Sequence, residues 1–155
     1  METNAVHPVE AGPRKVARRA RVAAPAHELF ALVANPHRHH EVDGSGTVRP
    51  EVIGPRELRL GDRFQVAMRM GPLPYRMTST VTALEPDRVV EWQHRGGHRW
   101  RWEFEPQADD TTLVTEVFDY STSRVPALLE RLKAPERNAR SIEAGLVALQ
   151  RAHGS

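Results

Sequence analysis

From Lys15 to Val22 the chain alternates, with Val16, Arg18, Ala20 and Val22 on one side and Ala17, Arg19 and Arg21 on the other. That period of two predicts a β-strand. Ala23-Ala24-Pro25 closes the strand, and proline suits the start of a helix because its φ is already helical. Across Ala26 to Ala34 the apolar residues Leu29, Phe30 and Val33 recur at helical spacing, with Glu28 near the N-terminus, where the macrodipole favours an anion. Asn35-Pro36 ends this helix, a short polar connection runs from His37 to Asp43, and Gly44-Ser45-Gly46 marks a turn or loop.

The character of the chain then changes to strand-length segments: Thr47 to Ile53, Asp62 to Met70, Tyr75 to Leu84, Arg88 to His94, His98 to Glu105 and Thr111 to Tyr120. Gly54-Pro55, Gly71-Pro72, Glu85-Pro86-Asp87, Gly96-Gly97 and Asp109-Asp110 bound them. Turns this short join neighbouring strands only in an antiparallel meander. Alternation assigns the faces. Phe64, Val66, Met68 and Met70 share one parity, as do Val90, Trp92 and His94, and Trp100, Trp102 and Phe104, while Arg99, Arg101 and Glu103 take the opposite side. One face is apolar and the other charged, so the sheet is expected to be covered on one side only. The cover comes last: Val125, Leu128, Leu129 and Leu132 fall at i, i+3, i+4 and i+7, and Ile142, Leu146 and Leu149 continue a stripe. Pro135 interrupts it, predicting a kink or two helices meeting there.

Composition limits the function. At 155 residues the chain is long enough for one real core, since a domain of about 150 residues buries roughly 68–70% of its unfolded surface. Residues 1–14, a mix of proline, glycine, acid and small residues without period, read as a flexible leader before a single domain spanning residues 15–153. The 22 basic residues nearly balance 20 acidic ones, a net charge of +2, which argues against nucleic acid as a partner despite the basic run Arg14, Arg18, Arg19 and Arg21. There is no cysteine, excluding disulfides, thiolate nucleophiles and thiolate metal sites. No segment has the length or apolarity of a signal peptide or a membrane span, so the expected location is the cytoplasm.

The order strand, helix pair, six-strand meander and long terminal helix resembles the helix-grip superfamily of START domains, polyketide cyclases and pollen-allergen-like proteins, often grouped as SRPBCC. Arg21 to Pro36 resembles that family's entry into its first helix, Leu60-Gly61-Asp62-Arg63-Phe64 its Gly-x-x-aromatic strand start, Val81 to Val90 its Pro-containing turn, and Ser141 to Leu149 its closing helix. Many members carry a Trp after the first helix pair, where this chain reads His39-His40-Glu41-Val42-Asp43. The resemblance implies an α+β helix-grip fold, a curved antiparallel sheet of six to seven strands around a long C-terminal helix. It also implies binding of a lipid, sterol, polyketide or other small apolar molecule between sheet and helix, with cyclisation or dehydration in a minority of members.

Candidate chemistry follows from the apolar face. Met68, Met70, Met77, Trp92, Trp100 and Trp102, joined by Phe118, Leu129, Ile142 and Leu146, are the expected ligand-binding set, against plain core packing as the alternative. Tyr75, His94 and Glu116 turn inward by parity and are the candidate acid–base residues, or else groups that only orient a ligand. His37, His39 and His40 lie close to Glu41 and Asp43, but adjacent side chains diverge, so a solvated loop is expected there and no metal. Gly96-Gly97 lacks the following Lys-Ser/Thr of a phosphate loop and reads as a hairpin turn. No cofactor is expected. A binder of a small apolar ligand is the leading function, a cyclase or dehydratase-like enzyme the first alternative and a protein-interaction module the second.

Overall fold

The computed structural model describes residues 5–154. Its strands are β1 (His7–Val9), β2 (Lys15–Val22), β3 (Val48–Ile53), β4 (Arg63–Met70), β5 (Leu73–Glu85), β6 (Val89–His94), β7 (Arg99–Pro106) and β8 (Thr112–Asp119). They form one eight-stranded sheet in the order β1-β2-β8-β7-β6-β5-β4-β3, antiparallel throughout. The helices are α1 (Ala26–Val33), a 3-10 turn (Pro36–Glu41), α2 (Pro126–Arg131) and α3 (Ala134–Ala152). The α+β class and the long C-terminal helix are as expected. Among the described residues no helix is long and apolar enough to cross a membrane.

The additional strand is β1, inside the segment read as a flexible leader. His7, Pro8 and Val9 pair with Arg19, Arg18 and Ala17, and Val6 packs against the core. Three residues are too short a signal for periodicity, and Pro8 is tolerated because β1 is an edge. Residues 1–4 of that leader lie outside the described residues.

The inner face is what parity predicted: Phe64, Val66, Val90, Trp92, Trp102, Phe104, Val114 and Phe118 join Leu29, Val33, Ile142, Leu146 and Leu149 in one core. Register shifts in β3 and β5 are bulges that bend and twist the sheet around this core. The inner face is covered unevenly. α3 lies on β2 and β8, α1 on β6 and β7, and the 3-10 turn on β3. No helix makes an extensive contact with β4 or β5.

The terminal stripe is broken at Lys133, which adopts a left-handed φ of 61°, and Pro135 sits in the first turn of α3. Two helices therefore replace one. Only Leu129 of the first stripe packs on the core; Val125, Leu128 and Leu132 are 48%, 48% and 58% exposed, against the expectation that they cover the sheet. A six-residue helix that begins and ends at breaks turns just one side chain inward.

Candidate functional site

α3 is clamped onto the rest of the molecule by two close backbone approaches. A Cβ at Gly145 would lie 2.6 Å from the carbonyl oxygen of Val42, and one at Gly44 would clash with the carbonyl of Ser141. This crossing carries the loop after the 3-10 turn over α3 and fixes Asp43, which accepts from the backbone N–H groups of Ser45 at 2.9 Å and Val48 at 2.9 Å. At the outer edge of the same helix Arg18 Nε donates to Glu143 Oε2 at 2.8 Å.

The histidine segment is not a solvated loop. His39 is buried, stacked on Trp92 at 4.6 Å between ring centroids and edge-on to Phe64 at 5.7 Å. Its Nε2 lies 2.7 Å from the Val33 carbonyl oxygen; because that oxygen can only accept, Nε2 carries the proton. Burial, outweighing this bond, pulls the imidazole down to about 4, so it is neutral near pH 7. His39 thus occupies the wall as an aromatic plate. His37 turns to the Gly54 carbonyl at 2.9 Å and His40 is exposed, so the three rings diverge. Among the described residues no group of three or more His, Asp or Glu side chains is gathered as a metal site.

The expected ligand-binding residues separate into layers. Trp92, Trp102, Phe118, Ile142 and Leu146 are packed into the core. Met68, Trp100 and Leu129 are half-buried against it, Met77 and Tyr75 are half-buried on β5, and Met70 is 61% exposed at the hairpin end. No helix makes an extensive contact with the inner side of β4 and β5, and Met68, Tyr75 and Met77 stay half-buried there as the floor of a candidate cleft. Its back is an aromatic series in which His94 meets His98 at 4.5 Å, His98 meets Phe118 at 5.6 Å and Trp100 meets Phe118 at 5.0 Å.

Two polar groups interrupt this apolar surface. His94 Nδ1 is sealed from solvent and has no hydrogen-bond partner among the described residues; burial above all, then His98 and His39, lowers its pKa to about 3. Glu116 is buried between Trp102 and Arg18 on the neighbouring strands. Arg18 spends its guanidinium on Glu143 and on the Ala17 carbonyl, so burial, then the Asp43 charge, pushes the Glu116 carboxyl well above the usual range. Tyr75 is raised by burial and then by Asp43. Alternation thus turns all three candidate acid–base residues inward, with Tyr75 and Glu116 both within reach of the Asp43 charge, but it holds His94 and Glu116 apart. Trp102 is the partner of both Val90 and Glu116, and His94 lies four residues beyond Val90. The separation is about 13 Å along the strands and about 10 Å across them.

Two grooves of about 430 and 390 Å³ lie along the β3–β6 part of the sheet, the second wrapping its edge so that Met68 and Tyr75 also line it. The first is lined by Arg63, Gln65, Thr78, Thr80, Gln93, His94 and Arg95, and the second is closed by Arg49, Arg69 and Arg76. Sequence reading assigned nothing to the polar side of these strands, since such a side reads simply as solvated. Arginines at 49, 63, 69 and 76 on neighbouring strands are the signal that could have marked it.

Comparison with known proteins agrees with the architecture. Residues 13–154 match the family described as polyketide cyclase / dehydrase and lipid transport. Uncharacterized protein Rv0088 of Mycobacterium tuberculosis is 51% identical over 147 residues, covering 91% of this chain and 65% of that protein. The chain therefore spans just under two thirds of the length of this curated relative. A crystal structure of a Rhodobacter sphaeroides protein superposes with a TM-score of 0.73 at 15% identity, covering 95% of this chain and 96% of that one. The solution structure of the Polyketide_cyc-like protein Cgl2372 from Corynebacterium glutamicum gives 0.63 at 20% identity, covering 89% and 90%. These neighbours share the fold, and the family match over nearly the whole chain identifies it: the chain belongs to the polyketide cyclase / dehydrase and lipid transport family, within the SRPBCC helix-grip superfamily.

Proposed function

We propose that the chain binds a small, largely apolar molecule in the cleft between the uncovered inner side of β4–β5 and the N-terminal end of α3. One observation carries this reading: an apolar floor of Met68, Tyr75 and Met77 stays half-open in front of His94, whose Nδ1 is sealed without a partner. An unsatisfied buried polar atom costs about 1–3 kcal/mol. A ligand with one polar atom at the inner end of an apolar body would remove that cost. Flexible methionines suit a floor that must adapt to such a body. The deeper residues Trp92, Trp102, Ile142 and Leu146 then act as the wall supporting the cleft rather than as contacts.

A cyclase or dehydratase using Tyr75, His94 and Glu116 is the alternative. No two of these side chains are hydrogen-bonded to each other among the described residues, and concerted proton transfer needs reach of about 2.6–3.2 Å to a shared substrate. That arrangement favours orientation of a ligand over catalysis.

Titration with a fatty-acid series, a sterol and an aromatic polyketide, followed by intrinsic fluorescence, tests the proposal. Half-buried Trp100 is the expected reporter, and at least one ligand class should give a saturable change. Met77→Arg should weaken that binding tenfold or more while leaving the melting temperature within a few degrees, because Met77 is only half-buried. A panel that produces no saturable change, or an affinity indifferent to Met77→Arg, contradicts the proposal. His94→Ala then separates carrier from enzyme: a carrier has no turnover to lose, whereas an acid–base catalyst loses roughly 10²–10⁴-fold in rate.

A further inference from the structure

Large apolar side chains are strongly exposed at seven described positions, and five of them, Met70, Leu73, Val125, Leu128 and Leu132, stand at one end of the molecule. Met70 and Leu73 face each other across the tip of the β4–β5 hairpin, where Gly71 takes a φ of 58° that most side chains resist. The other three lie on α2 and the two residues that cap it. α2 is held to the β6–β7 turn by Arg124 N–H donating to the Gly96 carbonyl at 3.1 Å and by Thr122 Oγ1 donating to the Gly97 carbonyl at 2.6 Å. Ser79 pairs with His94, the last residue of β6, so β5 residues 73–78 project past that same turn. Hairpin tip and α2 are therefore two apolar rims at the same end, and the cleft opens between them.

Each rim is bracketed by cations. Arg69 and Arg76 flank the hairpin tip and share a groove with Arg49; Arg124, Arg131 and Lys133 flank the α2 stripe. None of these six side chains has an ion pair or a hydrogen bond among the described residues. The β6–β7 part of the outer face differs: there Arg101 binds Glu103 at 2.7 Å and Glu91 at 3.4 Å. The acids near the rims are few. Glu130 is taken by Tyr120 and Arg14 and Asp43, whose charge reaches Tyr75, by the backbone of Ser45 and Val48; Glu51 stands beside the hairpin groove and Glu136 in the first turn of α3.

We propose that this end is a docking surface for an anionic lipid bilayer, with the two apolar rims entering the headgroup boundary and the flanking arginines and lysine meeting lipid phosphates. Apolar side chains bracketed by cations are the pattern an anionic bilayer surface recognises. A second copy of the chain would bring the same positive charge against itself, and a nucleic acid would leave five large apolar side chains in water. The proposed ligand cleft gives this docking a purpose, but docking is measured without any ligand, so either idea can fail while the other stands.

The test is co-sedimentation of the full chain with phosphatidylcholine vesicles containing about one third phosphatidylglycerol, against phosphatidylcholine alone. Binding to the anionic vesicles is expected at least tenfold tighter, and it should weaken as salt screens the cations. Met70→Asp with Leu73→Asp, and separately Leu128→Asp with Leu132→Asp, should each reduce partitioning tenfold or more. All four positions are exposed, so the melting temperature should hold, and Leu60→Asp, 66% exposed beside the far end of β4, should bind as the unaltered chain does. Absence of binding, equal binding to both vesicles, or binding indifferent to the rim variants overturns the proposal. So does light scattering that shows a dimer dissolved by Leu128→Asp with Leu132→Asp, which would make the rims a self-association surface.

Discussion

His39 is a buried imidazole held neutral by burial and Glu116 a buried carboxyl whose pKa burial pushes up, and the pH dependences they give to stability have opposite signs. His94 and His39 protonate near 3 and 4 when folded, against 6.5 for a free imidazole. Between these values the unfolded chain binds protons that the folded chain does not. Their contribution is thus fully present above about pH 6.5 and lost as pH falls towards the folded values, by up to about 1.4 kcal/mol per pH unit for each histidine. Glu116 runs the other way: its raised carboxyl contributes stability below the ordinary value of 4.5, and this is lost as pH rises through the folded value. Urea unfolding should therefore show Glu116→Gln gaining on the unaltered chain as pH rises from about 4.5 to about 8, while His94→Gln should flatten the loss on acidification. A Glu116→Gln advantage that stays constant with pH would mean that the carboxyl is solvated. Strand parity was enough to turn Tyr75, His94 and Glu116 inward, since alternation is a local property. It was silent on His39, because burial of a polar residue in a connection depends on what packs over it, here Trp92 and Phe64 from distant strands.

At the level of elements, the meander was legible because each strand alternates and each turn carries glycine, proline or aspartate. Coverage was not. The α2 stripe has core spacing, yet Val125, Leu128 and Leu132 face solvent, because helical period shows that residues share a face and not what that face meets. The β1 strand was missed for the opposite reason, its three residues being held by pairing with β2 rather than by a pattern of their own. The crossing of α3 over the loop at Asp43 depends on two glycines whose role lies between distant backbones. Gly145→Ala must push its methyl against the Val42 carbonyl, 2.6 Å from an ideal Cβ, and should lower the unfolding free energy in urea by about 1–3 kcal/mol, as overpacking does. An unchanged unfolding midpoint would show that the crossing is loose.

The molecule as a whole is a sheet gripped firmly at one side and open at the other. α3 seals β2 and β8, whereas β4 and β5 leave methionines and a tyrosine half-exposed before an aromatic wall. The fold was readable because it follows from the order of elements; what the open side receives was not, because that depends on shape and on unpaired buried atoms such as His94 Nδ1. The central claim is that this opening, rather than the packed core beneath it, receives a ligand. Methyl-labelled methionine NMR examines that claim directly, since Met68 and Met77 lie on the floor and Met70 at its outer end. Addition of a ligand from the panel should shift the Met68 and Met77 methyl signals along one saturable curve, with a smaller change at Met70. Signals from Met68 and Met77 that stay fixed for every ligand class, or a shift confined to Met70, would contradict it.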